Sequence, residues 1–149
     1  DADALNSFKN KTKKLLKYLD KNKIITPHQA EFHRLFPLID KNLTNREKVL
    51  IFLKLCKSNI LLKGNNTIIG SRNKIIINSH TSSELAVIGS GDVLAGIIAS
   101  LVGDQKMSIY EAACAGVWLH GDIARRHGRA LISEDLIKGI AHALKKLKK

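Results

Sequence analysis

The chain holds two cysteines, two prolines, four Phe, two Tyr and one Trp, and each shortage excludes something. Cys56 and Cys114 both fall within apolar helical patterns. They form neither a disulfide framework nor a C-x-x-C pair, which points to a reducing, cytoplasmic setting. So few aromatics leave little to stack nucleic-acid bases on. Long hydrophobic runs are also missing. The most apolar stretch, Val93 to Gly103, is broken by Ser100 and is far shorter than the roughly 20 residues of a membrane-spanning helix. No membrane segment is expected. Nor does the start show a basic segment followed by an apolar core and a cleavage site, and the missing initial Met points to residues upstream.

Acidic residues are scarce as well, with 13 Asp+Glu against 25 Lys+Arg and a formal charge of +12. Where that charge lies decides what it means. Seven lysines lie between Lys9 and Lys23 and four between Lys145 and Lys149, and Lys outnumbers Arg 19 to 6. In Phe8 to Leu19 the apolar residues recur at helical spacing while lysines fill the other face, the pattern of a solvated amphipathic helix. No zinc-finger spacing accompanies the charge, so its distribution argues for solubility rather than nucleic-acid recognition.

Periodicity predicts a helix over about Ser7 to Asp20, a short strand at Lys23 to Thr26 stopped by Pro27, and a second helix from about His28 to Phe36. Thr44 to Glu47 has the form of a capping box and opens a helix ending near Ser58. Three strand-like runs follow, Ile60 to Leu62, Thr67 to Ile69 and Lys74 to Ile77, separated by turn formers. After a polar loop the remainder reads as helical, with starts near Ser90, at the capping box Ser108 to Glu111, and at Ser133. Strands alternating with helices argue for a layered α/β domain over residues 1–149, with a mostly parallel sheet locally decorated by a hairpin. About four strands against about six helices is few for a doubly wound sheet, as if part of a larger sheet were present.

The strongest local signal is Gly89-Ser90-Gly91-Asp92-Val93-Leu94-Ala95-Gly96, a glycine-rich turn feeding an apolar helix. Glycines permit a tight turn and close approach, and the unpaired amides of a first helical turn favour an anion. A carboxylate in such a turn repels phosphate, so Asp92 suits a general base better than a phosphate cradle. The alternative is that Asp92 simply caps the helix, and the motif alone leaves both open. Other templates fail: Leu94 stands where a dinucleotide fingerprint needs its third glycine, no G-x-x-x-x-G-K-[ST] occurs, and Ser90 lacks the spacing of a nucleophile elbow. The six histidines form no zinc-protease pattern.

Two weaker signals accompany that turn. Lys63-Gly64-Asn65-Asn66-Thr67 ends a strand with a cation able to reach a phosphate, although an ordinary hairpin turn contains the same residues. Thr26-Pro27-His28-Gln29-Ala30-Glu31-Phe32 takes a strand into a helix. Open α/β sheets bind ligands at the carboxyl ends of their strands, which makes His28 and Glu31 candidate site residues, with a surface or capping histidine as the alternative.

Taken in order, Asp1 to Asn6 (D-A-D-A-L-N), T-P-H-x-x-E-F at 26–32, K-G-x-x-T at 63–67, G-S-G-D-V-L-A-G-I-I at 89–98 and A-A-C-A-G-V-W-L-H-G at 112–121 resemble the ADP- or ATP-dependent NAD(P)H-hydrate dehydratases of the ribokinase-like superfamily. The resemblance covers essentially the whole chain but only the carboxyl-terminal half of that family's domain. It implies a ribokinase-like α/β fold, a sheet with helices on both faces and its amino-terminal strands absent. Asp92 would then be the catalytic base, also touching the substrate, and Gly89, Ser90 and Gly91 the anion hole. Lys63, Gly64, Asn65, Asn66 and Thr67, with Gly91, would hold ADP or ATP accompanied by Mg2+. His28 and Glu31 would meet the NAD(P)H-hydrate, whose hydroxyl is phosphorylated and then lost as phosphate. The family's polar loop before the anion hole, commonly N-P-x-M-A-T-G-G, is replaced here by Ser82 to Gly89, which predicts a looser loop and one hydroxyl fewer. Two other readings remain: a small-molecule kinase of the same superfamily, and a nucleotide-binding piece without turnover, with an exposed sheet edge. Self-association is left open.

Overall fold

The computed structural model describes residues 1–147. In chain order the elements are α1 (Ala2–Asn6), α2 (Thr12–Tyr18), β1 (Ile24–Ile25), α3 (Gln29–Leu35), α4 (Asn45–Leu55), β2 (Asn59–Leu62), β3 (Thr67–Ser71), β4 (Lys74–Asn78), α5 (Ser90–Gly103), α6 (Ile109–His127) and α7 (Ser133–Leu147), with a single 3-10 turn at Ser83–Leu85 before α5. They fall into two compact units, Asp1–Ile77 and Asn78–Lys149. The first carries the sheet and the second is helical.

The sheet of the first unit has the order β1-β2-β3-β4. β1 and β2 pair parallel, with Ile24 opposite Asn59 and Ile25 opposite Ile60, and β2 and β3 pair antiparallel. Only two residues link β3 to β4, so they too form a hairpin, because a parallel crossover needs a dozen or more. The expected mostly parallel sheet is thus corrected among the described residues. The parallel part is one pair of strands, and the antiparallel part extends it by two. All four residues of β2 are buried, consistent with an unalternating Ile-Leu-Leu run covered on both faces. Gly70 admits α4 against the sheet, since a Cβ there would lie 2.6 Å from Val49 Cγ1.

The core of this unit gathers Leu5, Leu15, Ile25, Val49 and Ile60 around three rings. Phe32 and Phe36 lie 5.0 Å apart, and Phe36 meets Phe52 edge-on at 5.4 Å, which locks α3 to α4 by offset and T-shaped contacts. The single helix expected from Ser7 to Asp20 is instead broken. Residues 7–11 leave the helix, and Asn10 takes φ 59°, a left-handed conformation that Asn tolerates better than most residues and that no α-helix continues through. The break brings Phe8 against Tyr18 at 5.8 Å and lets Thr12 Oγ1 donate to the Leu35 carbonyl. Lys13, Lys14 and Lys17 are exposed around buried Leu15, as an amphipathic helix requires. At the sheet's edges, β1 is two residues long with Ile25 buried, whereas Ile76 and Ile77 of β4 are 44% and 52% exposed.

In the second unit α6 packs between α5 and α7, burying Ile97, Leu119, Ile123, Leu131, Leu136 and Ala143. The Ser108–Glu111 capping box forms as expected, as does Thr44–Glu47 in the first unit. Lys145 and Lys146 are exposed on α7; Lys148 and Lys149 lie outside the described residues. No helix among the described residues is long and apolar enough to cross a membrane. Cys56 and Cys114 form no disulfide.

Candidate functional site

The parallel pair β1 and β2 ends in the two segments singled out by their sequence. Just beyond the strands, His28 and Lys63 form a parallel bridge, and the Lys63 amide donates to the Pro27 carbonyl at 2.8 Å. Residues 35 positions apart thus become neighbours at the carboxyl end of the sheet, where open α/β sheets place their ligands.

His28 is the N-cap of α3. Its Nδ1 accepts from the amides of Ala30 (3.1 Å) and Glu31 (3.3 Å), so the proton of the neutral ring sits on Nε2. Glu31 Oε2 accepts from the His28 amide at 2.8 Å, closing a capping box. The capping reading of His28 is therefore realised, yet half of its side chain stays exposed and Nε2 is available as a donor 3.6 Å from Glu31 Oε2. Glu31 itself is 5% exposed, and its carboxylate orients the His28 turn from beneath. A substitution separates the two duties of His28. Asn caps a helix well, so His28→Asn is expected to keep the unfolding free energy within about 0.5 kcal/mol, whereas His28→Ala loses about 1 kcal/mol. If His28 also meets substrate, both variants raise KM equally, which calorimetry and initial rates together check.

Around Lys63 the loop is dense. Lys63 Nζ pairs with Asp1 Oδ1 at 2.8 Å, Thr67 Oγ1 donates to the Gly64 carbonyl at 3.1 Å, and Asn65 and Asn66 are exposed. A Cβ on Gly64 would lie 3.2 Å from Asn45 Nδ2 and 3.5 Å from Gln29 Nε2. Those two amide side chains, from the first turns of α4 and α3, complete this rim, and nothing in the local sequence singled them out. Asp1 was noted only within its motif; its pairing with Lys63 spans 62 residues.

In the second unit, Gly89 takes φ 82°, a left-handed conformation, and is the N-cap of α5. Asp92 is therefore the third helical residue and not the cap. Its carboxylate is exposed and has no hydrogen-bond partner among the described residues. Placed in the first turn, it is favoured by the helix dipole. Of the three anion-hole residues, Ser90 is partly committed, since its amide donates to the Val87 carbonyl at 3.3 Å and its Oγ to the Leu85 carbonyl at 2.7 Å. The amides of Gly91 and Asp92 have no acceptor among the described residues, as the start of a helix dictates. The loop before the turn is tied by side-chain hydrogen bonds. Ser82 Oγ caps the 3-10 turn through the Glu84 amide, Ser90 anchors Leu85, and Ser133 Oγ donates to the Ile88 carbonyl. Hydroxyls do there what a proline does by stiffness.

Asp92 also stands at the rim of an apolar cleft of about 450 Å³ between α5 and α7, with Val93, Ile97, Leu101, Leu119, Ile137 and Ile140 among its walls. Such a volume falls in the range of small-ligand sites. Among the described residues no group of three or more His, Cys, Asp or Glu side chains is placed to hold a metal ion.

A profile described as NAD(P)H-hydrate dehydratase matches residues 1–143. The chain is 41% identical over 133 residues to an ADP-dependent (S)-NAD(P)H-hydrate dehydratase of Neisseria meningitidis, covering 83% of this chain and 43% of that protein. Among solved structures, the ADP/ATP-dependent NAD(P)H-hydrate dehydratase of Bacillus subtilis, co-crystallised with ATP and Mg2+ and soaked with CoA, superposes with a TM-score of 0.69 at 26% identity, over 83% of this chain and 48% of that one. A ribokinase-like superfamily protein of Enterococcus faecalis shares the fold, with a TM-score of 0.74 at 24% identity over 95% of this chain and 50% of its own. The chain thus spans about half or less of the length of the relatives it matches.

Proposed function

The chain belongs to the NAD(P)H-hydrate dehydratase family, and on that premise we propose that it carries the nucleotide-binding and anion-hole portion of an enzyme that returns (S)-NAD(P)H-hydrate to NAD(P)H at the expense of ADP or ATP. The observation that supports this most is the start of α5, where, among the described residues, the Gly91 and Asp92 amides have no acceptor and the exposed Asp92 carboxylate beside them has no partner. That pairing suits a reaction in which a phosphoryl group is held by backbone donors while a neighbouring hydroxyl loses its proton.

In this reading the Asp92 carboxylate accepts the proton of the hydrate's hydroxyl as the hydroxyl oxygen attacks the terminal phosphoryl group, whose bridging P–O bond breaks to release AMP from ADP or ADP from ATP. The Gly91 and Asp92 amides, positioned by left-handed Gly89 and the Ser90 anchor, meet the developing charge on that group without rearrangement. Loss of that phosphate from one ring carbon together with a proton from its neighbour then restores the double bond of the reduced nicotinamide. Lys63, with the 64–67 loop, is assigned to the nucleotide phosphates, its ammonium held in place by Asp1. His28 offers Nε2–H to the nicotinamide substrate. Mg2+ commonly binds through one or two carboxylates together with substrate phosphates and water. Asp92, the one carboxylate of the α5 turn, is assigned to the hydroxyl proton, so the described residues supply no dedicated ligand, and an ion that came with the nucleotide would be held by its phosphates and water and would offset their charge. The reaction belongs to the protein that contains this chain.

The test is to incubate that protein with NADH-hydrate and either ADP or ATP, following NADH absorbance and free phosphate together. One phosphate released per NADH restored is the expected result. A stable phosphorylated product instead, with no NADH, would replace the dehydratase reading by a kinase of the same fold.

A further inference from the structure

We propose that the groove between α6 and α7 is a second anion site, built for a small molecule carrying a chain of phosphates and sharing no residue with the Gly89–Asp92 turn. The groove encloses about 600 Å³ and is walled by Arg126 and His127 on α6 and by Lys138, His142 and Lys146 on α7. Positions 138, 142 and 146 recur every four residues and so lie on one face, spanning about 12 Å of helix. Gly139 creates the closeness of the two walls, since a Cβ there would fall 2.4 Å from Ile123 Cγ2. The floor is Ile123, Gly139 and Ala143.

Two lysines of the groove are not balanced from within it: Lys138 and Lys146 have no ion-pair partner among the described residues. The one carboxylate in the lining, Asp135, accepts from the Ile132 amide at 3.2 Å and faces His127 Nε2 at 3.6 Å, so its charge is directed to the α7 start. Arg126 is aimed rather than neutralised. Its Nε donates to Asp122 Oδ2 at 2.6 Å, while the two terminal nitrogens of its fork have no partner among the described residues. Asp122, 8% exposed, is subject to burial that raises its pKa, but the hydrogen bond and charge of Arg126, joined by His80, overcome this and hold it below the usual carboxylate value. It stays ionised as the post that fixes the guanidinium.

Like charges collected in a concave cleft raise the local concentration of anions, and a guanidinium fork binds phosphate oxygens in pairs. The span of about 12 Å suits a short run of phosphates rather than a single one. Among the described residues no Phe, Tyr or Trp lines the groove, which leaves only two imidazoles to stack bases and argues against a stacking platform for single-stranded nucleic acid. The chemistry is met by inorganic polyphosphate or by a nucleoside triphosphate.

Isothermal titration of the full chain with inorganic tripolyphosphate, at physiological ionic strength and without metal, tests this. The paired reversal Lys138→Glu with Lys146→Glu is compared with Lys13→Glu with Lys17→Glu on α2, which alters net charge equally. The expected result is a binding event weakened roughly tenfold or more, about 1.4 kcal/mol, by the groove pair, and changed less than about twofold by the α2 pair. Lys138→Gln with Lys146→Gln, milder in its effect on folding, weakens it to an intermediate degree. Repetition with ATP separates the sources: tighter, groove-dependent ATP binding identifies a nucleoside triphosphate, and equal affinity identifies the phosphate chain alone. Equal weakening by both reversed pairs, no binding by the unaltered chain, or tighter groove-dependent binding of a short DNA duplex overturns the proposal.

Discussion

Asp92→Asn is expected to lower turnover by about 10² to 10⁴, the usual contribution of a general base, or roughly 3 to 5 kcal/mol of transition-state stabilisation. Nucleotide affinity is expected to change no more than a few-fold, because Asn keeps the side chain's size and leaves the Gly91 and Asp92 amides in place. The argument is geometric. Asp92 is the third residue of α5, too far along to be the cap that Gly89 already is, and its carboxylate is exposed with no partner among the described residues. It is not needed to hold the turn together. Ser90 does that, through its hydroxyl on Leu85. A structural role would therefore show as lost stability with little lost activity, and the catalytic role as the reverse. Steady-state rates in the complete reaction, with thermal unfolding of the same variant, distinguish them. Unchanged turnover would remove Asp92 from the chemistry and return it to the helix-dipole role that any acidic residue in a first turn can play.

The second large effect is on folding, at Gly121. A Cβ added there would lie 2.1 Å from the His80 carbonyl oxygen and 3.1 Å from its carbon. The obstacle is backbone, so no rotamer change relieves it. Residues 78–82 lie directly on α6 at this point, held by Asn78 Nδ2 donating to that same carbonyl at 3.0 Å and by the His80 ring stacked on Trp118 at 5.1 Å. Gly121→Ala must lift the segment off the helix, loosening the stack and the approach of His80 Nε2 to Asp122 at 3.5 Å. Overpacking costs typically 1–3 kcal/mol, and a rigid neighbour places this case at the upper end, about 3 kcal/mol. Against a total of about 5–15 kcal/mol, that is a lowering of Tm of roughly 6–12 °C. Near-ultraviolet dichroism of the only tryptophan follows the same step. An unchanged Tm would mean that the 78–82 segment is free to move away without loss, and that the contact is incidental.

The pattern of what could be read in advance follows the range of the forces involved. Helix starts at Thr44 and Ser108 were legible because a capping box closes within three residues. The strands at 59–62, 67–71 and 74–78 were legible because β-branched runs between turn formers leave few alternatives. The same short range explains two errors. The segment from Ser7 to Asp20 has helical spacing throughout, yet Asn10 turns left-handed where Phe8 and Tyr18 gain each other, a preference that spacing does not register. The sheet's orientation depended on which strand lies beside which, and periodicity of two is the same in parallel and antiparallel pairs.

The candidate site divides along the same line. Its residue types and order, T-P-H, K-G-x-x-T and G-S-G-D, are properties of the chain itself, and they identified the family before any fold was known. The left-handed turn at Gly89 was also implicit, since glycine followed by a helix start permits little else. What tertiary structure alone decided is which of those groups remain available for chemistry. His28 and Lys63 became neighbours because two parallel strands end together. Glu31 was buried where it closes the α3 capping box, Ser90 was tied to Leu85, and Asp92 was left exposed with no partner among the described residues. Each outcome turns on burial and on partners distant in the chain. A sequence names a carboxylate, but only the packed fold determines whether a hydrogen bond has already claimed it.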